Sequence, residues 1–407
     1  MNYNKEDSVI SREYVKCNAC DQFIMLRVQV GYEKSQAHTF SCPNCEQPLS
    51  VTLDLSNPPF VSFAHDESCE IIPRTEKCVV VNLAVGFLIP KDKVSDDKYF
   101  PAMNFFSQAK FRPLMLPPEE REEVGGLFEG FPGAARAWIH LCRAARFNLK
   151  GNSERTAHHL CEFSKSTGFP LTNYEGALLN FVGAFVGKER RSKFFTLLEW
   201  AISVVEKNQD AANAWLSEFS KLSIDRVSEY LSIMSEYFES YNDFDQTLFY
   251  ARFGLECEPD AHASANAFQS TKMFYGNAFE IIGSHLDLFV GLKNIEAGRS
   301  FDMLENISLE KYRKTDKGAR FNAVKFVPEL SFLVDEYDNS LRNASHHRWF
   351  RLAGNMQSIR YRKSGDGAEQ VISYSDYTLR CNNLIMQVMI MYLCELSVIG
   401  YMSLKVK

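Results

Sequence analysis

Two short cysteine pairs near the start of this 407-residue chain constrain its fold more than any other feature. Cys17-Asn-Ala-Cys20 and Cys42-Pro-Asn-Cys45 are matched C-x-x-C units separated by 21 residues. A C-x-x-C turn aims two thiolates at one point while its backbone N–H groups offset their charge. Two such turns complete a tetrahedral set of sulfur ligands suited to zinc. The intervening Phe23-Ile-Met-Leu-Arg-Val-Gln-Val30 has strand composition, and Pro43 fits a rigid turn. Residues 1–55 therefore predict a small β unit around Cys17, Cys20, Cys42 and Cys45. Four thiolates close the coordination sphere, so the predicted role is structural rather than catalytic.

The unit resembles a zinc ribbon. The other cysteines (Cys69, Cys78, Cys142, Cys161, Cys257, Cys381 and Cys394) are scattered and read as core residues. An odd total of 11, and an N-terminus without the charged-then-apolar order of a signal peptide, argue against a disulfide framework. The expected location is cytoplasmic.

Beyond the ribbon the chain reads as mainly α. Residues 56–118 form a mixed segment with Val79–Ile89 as a buried strand, residues 119–224 a central helical region, and residues 225–407 a helical domain. Pro117-Pro-Glu-Glu120 opens the helical part, and apolar residues recur at helical spacing over Ala134–Phe147, Asn173–Val186, Phe194–Lys207 and Val227–Glu239. The last third predicts long helices over His262–Lys293, Phe321–Leu341 and Asn343–Met356. A β-hairpin is inserted at Ile359–Arg362 and Gln370–Tyr374, before a final helix. Leu384–Met402 is nearly continuous apolar sequence, close to the roughly 20 residues that span a bilayer. Gln387 and Glu395 interrupt it, so a buried helix and no membrane association are expected.

Several common sites are excluded. Gly183-Ala-Phe-Val-Gly-Lys188 is one residue short of a phosphate-binding loop and is followed by Glu189, where magnesium would need a hydroxyl. His158-His159, near Cys161, reads as an ordinary surface or core pair.

Charge points to the C-terminal region. The net charge is −6, but residues 300–407 carry 15 Lys and Arg against 12 Asp and Glu, leaving −9 for the rest. Between Leu341 and Gly365 lie Arg342, Arg348, Arg351, Arg360, Arg362 and Lys363, with no acidic residue. Such a run attracts a phosphodiester substrate, so Arg348, Arg351, Arg360, Arg362 and Lys363 are predicted backbone contacts, to RNA if the family resemblance carried by this same run holds.

Within this run, Arg342-Asn343-Ala-Ser-His346-His347 has an Arg, a polar residue directly after it, and a His five positions on. The pattern resembles the R-x4-H active-site motif of HEPN ribonucleases, and its helical setting over roughly residues 225–407 resembles that family's bundle. The resemblance implies metal-independent endonucleolytic cleavage of RNA by a homodimer whose two motifs face each other. It also implies an effector or toxin of prokaryotic antiphage defence, released by a trigger or restrained by an antitoxin partner.

The chemistry suits these residue types. The RNA 2′-OH attacks the adjacent phosphate, His347 moves a proton, and Arg342 meets the developing negative charge. On a continuous helix, Asn343 and His347 would share a face, letting the amide fix the ring's tautomer. His346 is the competing histidine. The alternative function is a non-catalytic zinc-ribbon adaptor that binds nucleic acid or protein.

Overall fold

The computed structural model describes residues 10–29, 35–56, 61–83, 88–93, 96, 133–220, 223–258, 261–265, 268–347, 349–353, 357–362 and 367–405. These form a small N-terminal β region followed by a mainly helical body.

Two β-hairpins frame the cysteines. Strands β1 (Ile10–Cys17) and β2 (Phe23–Gln29) pair antiparallel, with Val15 opposite Ile24. Strands β3 (Ser35–Ser41) and β4 (Pro48–Asp54) form the second hairpin, joined by β5 (Ser62–His65). Strand β6 (Cys69–Ile71) flanks β1, and β7 (Val79–Leu83) lies parallel to β2. Alternation on β3 and β4 turns Phe40, Leu49, Val51 and Leu53 inward. They meet Val15, Ile24, Leu26 and Val28 in one apolar cluster. The expected strand over Val79–Ile89 is represented by β7 and by β8 (Ile89–Pro90), with residues 84–87 outside the described set. Strand β8 pairs with β9 (Ala261–His262), tying this region to the helical body.

The first helices follow their apolar spacing. They are α1 (Ala134–Leu149), α2 (Ser153–Thr167), α3 (Tyr174–Lys207), α4 (Gln209–Ser220), α5 (Ser223–Glu239) and α6 (Tyr241–Arg252). Asn152 and Asn173 cap α2 and α3 by accepting the backbone N–H three residues on. The two helices expected over Asn173–Val186 and Phe194–Lys207 lie on α3, which breaks at Gly187 (φ 79°). A β-carbon there would stand 3.2 Å from the Arg252 carbonyl oxygen, so both conformation and space favour glycine. The helix start at Pro117-Pro118 falls outside the described residues.

Two C-terminal expectations need correction. His262–Lys293 is not one helix but β9, α7 (Phe268–Thr271), α8 (Phe274–His285) and α9 (Asp287–Glu296), with Leu286 at the junction of the last two. Apolar spacing runs on across such a break, so periodicity does not register it. Phe321–Leu341 is not a helix either. It contains 3-10 turns at Phe321–Ala323 and Ser331–Val334, separated by Pro328, whose missing N–H cannot continue a helical ladder. Before it come α10 (Leu309–Arg313) and α11 (Lys317–Arg320). The helix expected over Asn343–Met356 is replaced by the shorter α12 (Asn339–Ser345). The expected hairpin is present as β11 (Ser358–Arg362) and β12 (Glu369–Ser373), and β10 (Arg351–Leu352) adds a third antiparallel strand.

The final helix, α13 (Tyr374–Lys405), is long and apolar enough by length and composition to cross a membrane, yet it runs through the protein core. Ile385, Val388, Met389 and Ile390 are fully buried. Both interrupting polar residues make hydrogen bonds to neighbouring segments. The Gln387 amide donates to the Phe332 carbonyl at 2.7 Å, and Glu395 receives Arg226 at 2.5 Å and the Tyr230 hydroxyl at 2.8 Å. Arg226 also holds Asp287 at 2.8 Å, and Arg313 completes that carboxylate at 2.8 Å. A buried charge is tolerable only when paired in this way. One continuous core joins buried residues from Leu88 to Met402.

Candidate functional site

The N-terminal cysteines form a compact site. Cys17 ends β1 and Cys20 lies in the turn to β2, while Cys42 and Cys45 lie in the turn between β3 and β4. Their sulfur atoms all lie within 4.8 Å of one another, with Cys17–Cys45 at 3.8 Å and Cys20–Cys42 at 3.6 Å. A tetrahedral zinc ion with Zn–S bonds of about 2.3 Å requires S···S edges of about 3.8 Å, so the four residues fit the ion.

The two turns share one backbone design. The Asp21 N–H donates to the Cys17 carbonyl at 2.9 Å, and the Glu46 N–H to the Cys42 carbonyl at 3.0 Å. Asp21 and Glu46 both adopt positive φ, 57° and 62°, at equivalent positions. Backbone N–H groups reach the sulfurs: Gln22 to Cys20, Gln47 to Cys45, and both Asn44 and Cys45 to Cys42. The Asn44 side chain and the Gln22 N–H bring the Cys20 thiol down to about 6, whereas burial pushes Cys42 up to about 12. These residues can hold zinc as a structural cross-link between the hairpins.

The second candidate site is built on α12. Asp338 starts this helix by accepting the N–H groups of Ser340 and Leu341 at 2.9 and 3.0 Å. Leu341 and Ala344 are fully buried, and α12 packs against α8. Close approach depends on Gly276 of α8, where a β-carbon would come within 2.3 Å of Ser345 Oγ and 2.4 Å of His346 Nε2.

Arg342 points from α12 to Glu280 on α8. Its Nε donates to Glu280 Oε1 at 2.5 Å, its Nη2 donates to the same oxygen, and its Nη1 donates to Asn343 Oδ1 at 2.8 Å. Lys317 Nζ reaches Glu280 Oε2 at 3.1 Å, and Asp316 lies 3.8 Å from Arg342 Nη1. Glu280 is thus shared by two cations.

The histidines separate at the helix end. His346 is the C-terminal cap of α12 and lies against Gly276, whose carbonyl it contacts. Desolvation of that side lowers its pKa below the usual imidazole value. His347 lies just beyond the helix and, like His346, is exposed; its backbone N–H donates to the Ala344 carbonyl at 2.9 Å. The expectation that Asn343 and His347 share a helical face is therefore corrected. The helix ends at Ser345, and the Asn343 amide oxygen serves Arg342 instead.

The structure thus brings Arg342, Asn343 and His346 together with Glu280, Lys317 and Asp316. The last three were not singled out from sequence. Glu280 left a faint signal as the lone acidic residue on the otherwise uncharged Phe274–Ile282 stretch. Arg351, Arg360 and Arg362 lie on the adjoining three-stranded sheet, whereas Arg348 and Lys363 fall outside the described residues.

His158 and His159 form no metal site among the described residues. Their rings are 5.1 Å apart, and His140 lies 5.8 Å from His159, with no convergent third ligand.

No family model, curated protein or solved structure matches the chain.

Proposed function

We propose that the chain is an RNA endonuclease whose C-terminal site cleaves without a metal ion, and that zinc at the four cysteines serves architecture alone. The carrying observation is the junction of α12 with the arginine-bearing sheet. Arg342 is held in a fixed orientation there, two histidines follow directly, and Arg351, Arg360 and Arg362 lie on the adjoining strands. In this reading Arg342 neutralises the phosphorane formed by 2′-OH attack, His347 transfers the proton, and Asn343 and Glu280 orient the guanidinium. His346, turned against Gly276, is the auxiliary histidine.

A homodimer is part of this proposal, with the second copy's motif completing the site. So is regulation by a trigger or antitoxin partner, as in an antiphage-defence effector or toxin in the cytoplasm. A HEPN-like bundle is the corresponding fold assignment.

The test is chemical. RNA cut by this mechanism leaves 2′,3′-cyclic phosphate or 3′-phosphate ends, whereas 3′-hydroxyl ends would exclude it.

A second reading has its own support. The Arg342 guanidinium is already committed to Glu280 and Asn343, which suits a structural ion pair in a non-catalytic adaptor. That adaptor would bind nucleic acid or a protein partner and leave RNA intact.

A further inference from the structure

Of the four tryptophans, three are buried and anchored through their indole N–H groups. Trp138 donates to Ser235, Trp200 to Glu296 and Trp215 to the Leu288 carbonyl. Trp349 differs. It is 43% exposed, and its position two residues after His347 limits their Cα separation to about 7 Å. Two guanidinium groups lie against its ring, Arg351 at 5.6 Å and Arg362 at 5.1 Å from the centroid.

The adjoining sheet has an unusual outer face. Ile359 and Tyr361 of β11 point inward, which turns Arg360 outward. Arg360 lies in register with Arg351 on one side and with Val371, 63% exposed, on the other. Like charges directly opposite in a sheet repel, so this register concentrates positive charge on the outer face. Glu369 offsets part of this charge, at 3.6 Å from Arg360 and 4.0 Å from Arg362. The strands still carry three arginines against one carboxylate.

An exposed aromatic ring flanked by guanidinium planes, beside a cationic strip, matches the requirements of an unpaired base and its backbone phosphates. Duplex RNA keeps its bases stacked on one another and offers no free face to the ring. We infer that Trp349, with Arg351 and Arg362, stacks one unpaired base of single-stranded RNA next to the scissile phosphate, while Arg360 meets the backbone. The inference rests on the RNA reading above and adds that the substrate is unpaired at the cut.

The experiment uses the full chain carrying His347→Ala, which in the proposed mechanism removes cleavage, and a short oligouridylate. Trp349 is the exposed indole, so stacking is expected to quench intrinsic tryptophan fluorescence saturably, and a duplex of equal length to do so far less. Trp349→Ala is expected to abolish the quench and weaken binding about ten- to a hundredfold, with Trp349→Phe recovering most of the affinity. The salt dependence of binding should be unchanged in Trp349→Ala but shallower in Arg360→Ala, by about 0.7 in log–log slope. No quench at saturation, equal quenching by duplex, or parental affinity in Trp349→Ala would overturn the inference. A fluorescence change that tracks protein concentration rather than RNA would overturn it in favour of a protein interface.

Failure of the nuclease reading is distinguishable. Trp349-dependent binding together with intact RNA in wild-type protein would remove the enzyme and leave the stacking site.

Discussion

Glu280 Oε1 accepts a 2.5 Å hydrogen bond from Arg342 Nε, joining two helices across 62 residues of sequence. Side-chain exposures of 23% and 18% leave the pair only partly screened by water. Lys317 on the other carboxylate oxygen makes Glu280 the hub of the α8–α11–α12 junction.

Glu280→Gln keeps the shape of the hub but removes its charge. The expected cost is about 1–3 kcal/mol in urea denaturation, the range for charge-assisted hydrogen bonds. In the catalytic reading RNA cleavage also falls at least about tenfold, because Arg342 loses its orientation. Unchanged cleavage with reduced stability would make the pair structural only.

Gly276→Ala tests the packing of α12 on α8. Its β-carbon would collide with Ser345 and His346, so a loss of about 1–3 kcal/mol is expected. Gly400→Ala is the opposite control. That glycine lies on α13 with nothing within 4 Å of the added carbon, so a gain of about 0.5–1 kcal/mol is expected. Thermal denaturation of the two variants should shift in opposite directions.

Elemental analysis should give about one zinc per chain. Cys42→Ser should lower that content. Because the β region and the helical body have separate apolar clusters, chelation should expose the first while the helical circular-dichroism signal persists. Collapse of the helical signal on chelation would contradict this division.

Burial pushes the Asp245 carboxyl of α6 up to about 6, against hydrogen bonding from Tyr241 and the charge of Arg252. An unfolded-state carboxyl titrates near about 3.9, so the native state binds the proton more tightly. Ionisation above pH 6 therefore costs stability, and the cost disappears below about pH 4. Asp245→Asn should stabilise the protein by roughly 1–3 kcal/mol near pH 8 and by little near pH 4. Paired urea titrations at the two pH values measure the difference.

The four-cysteine cluster was legible because its information is local. Two turns place four sulfurs, and only the left-handed Asp21 and Glu46 went unseen, since neither position carries the glycine that signals such a conformation. Helices α1, α3 and α5 were legible from apolar spacing, and α13 from its run of apolar residues broken by Gln387 and Glu395. The α12 region was misread because helix ends are set by capping and packing. Asp338 starts the helix early, and contact with α8 precedes its end at Ser345. Glu280 was hidden for a further reason: its significance comes from Arg342, which is brought to it only by tertiary packing. Trp349 sits inside the basic run, but its exposure beside two arginines emerges only when β10 and β11 pair.

The central claim is tested most directly by incubating wild-type, Arg342→Ala and His347→Ala proteins with total RNA in the presence and absence of EDTA. The account predicts EDTA-resistant cleavage by the wild type and its loss in both folded variants. Equal cleavage by His347→Ala, or cleavage abolished by EDTA while the protein stays folded, would contradict it.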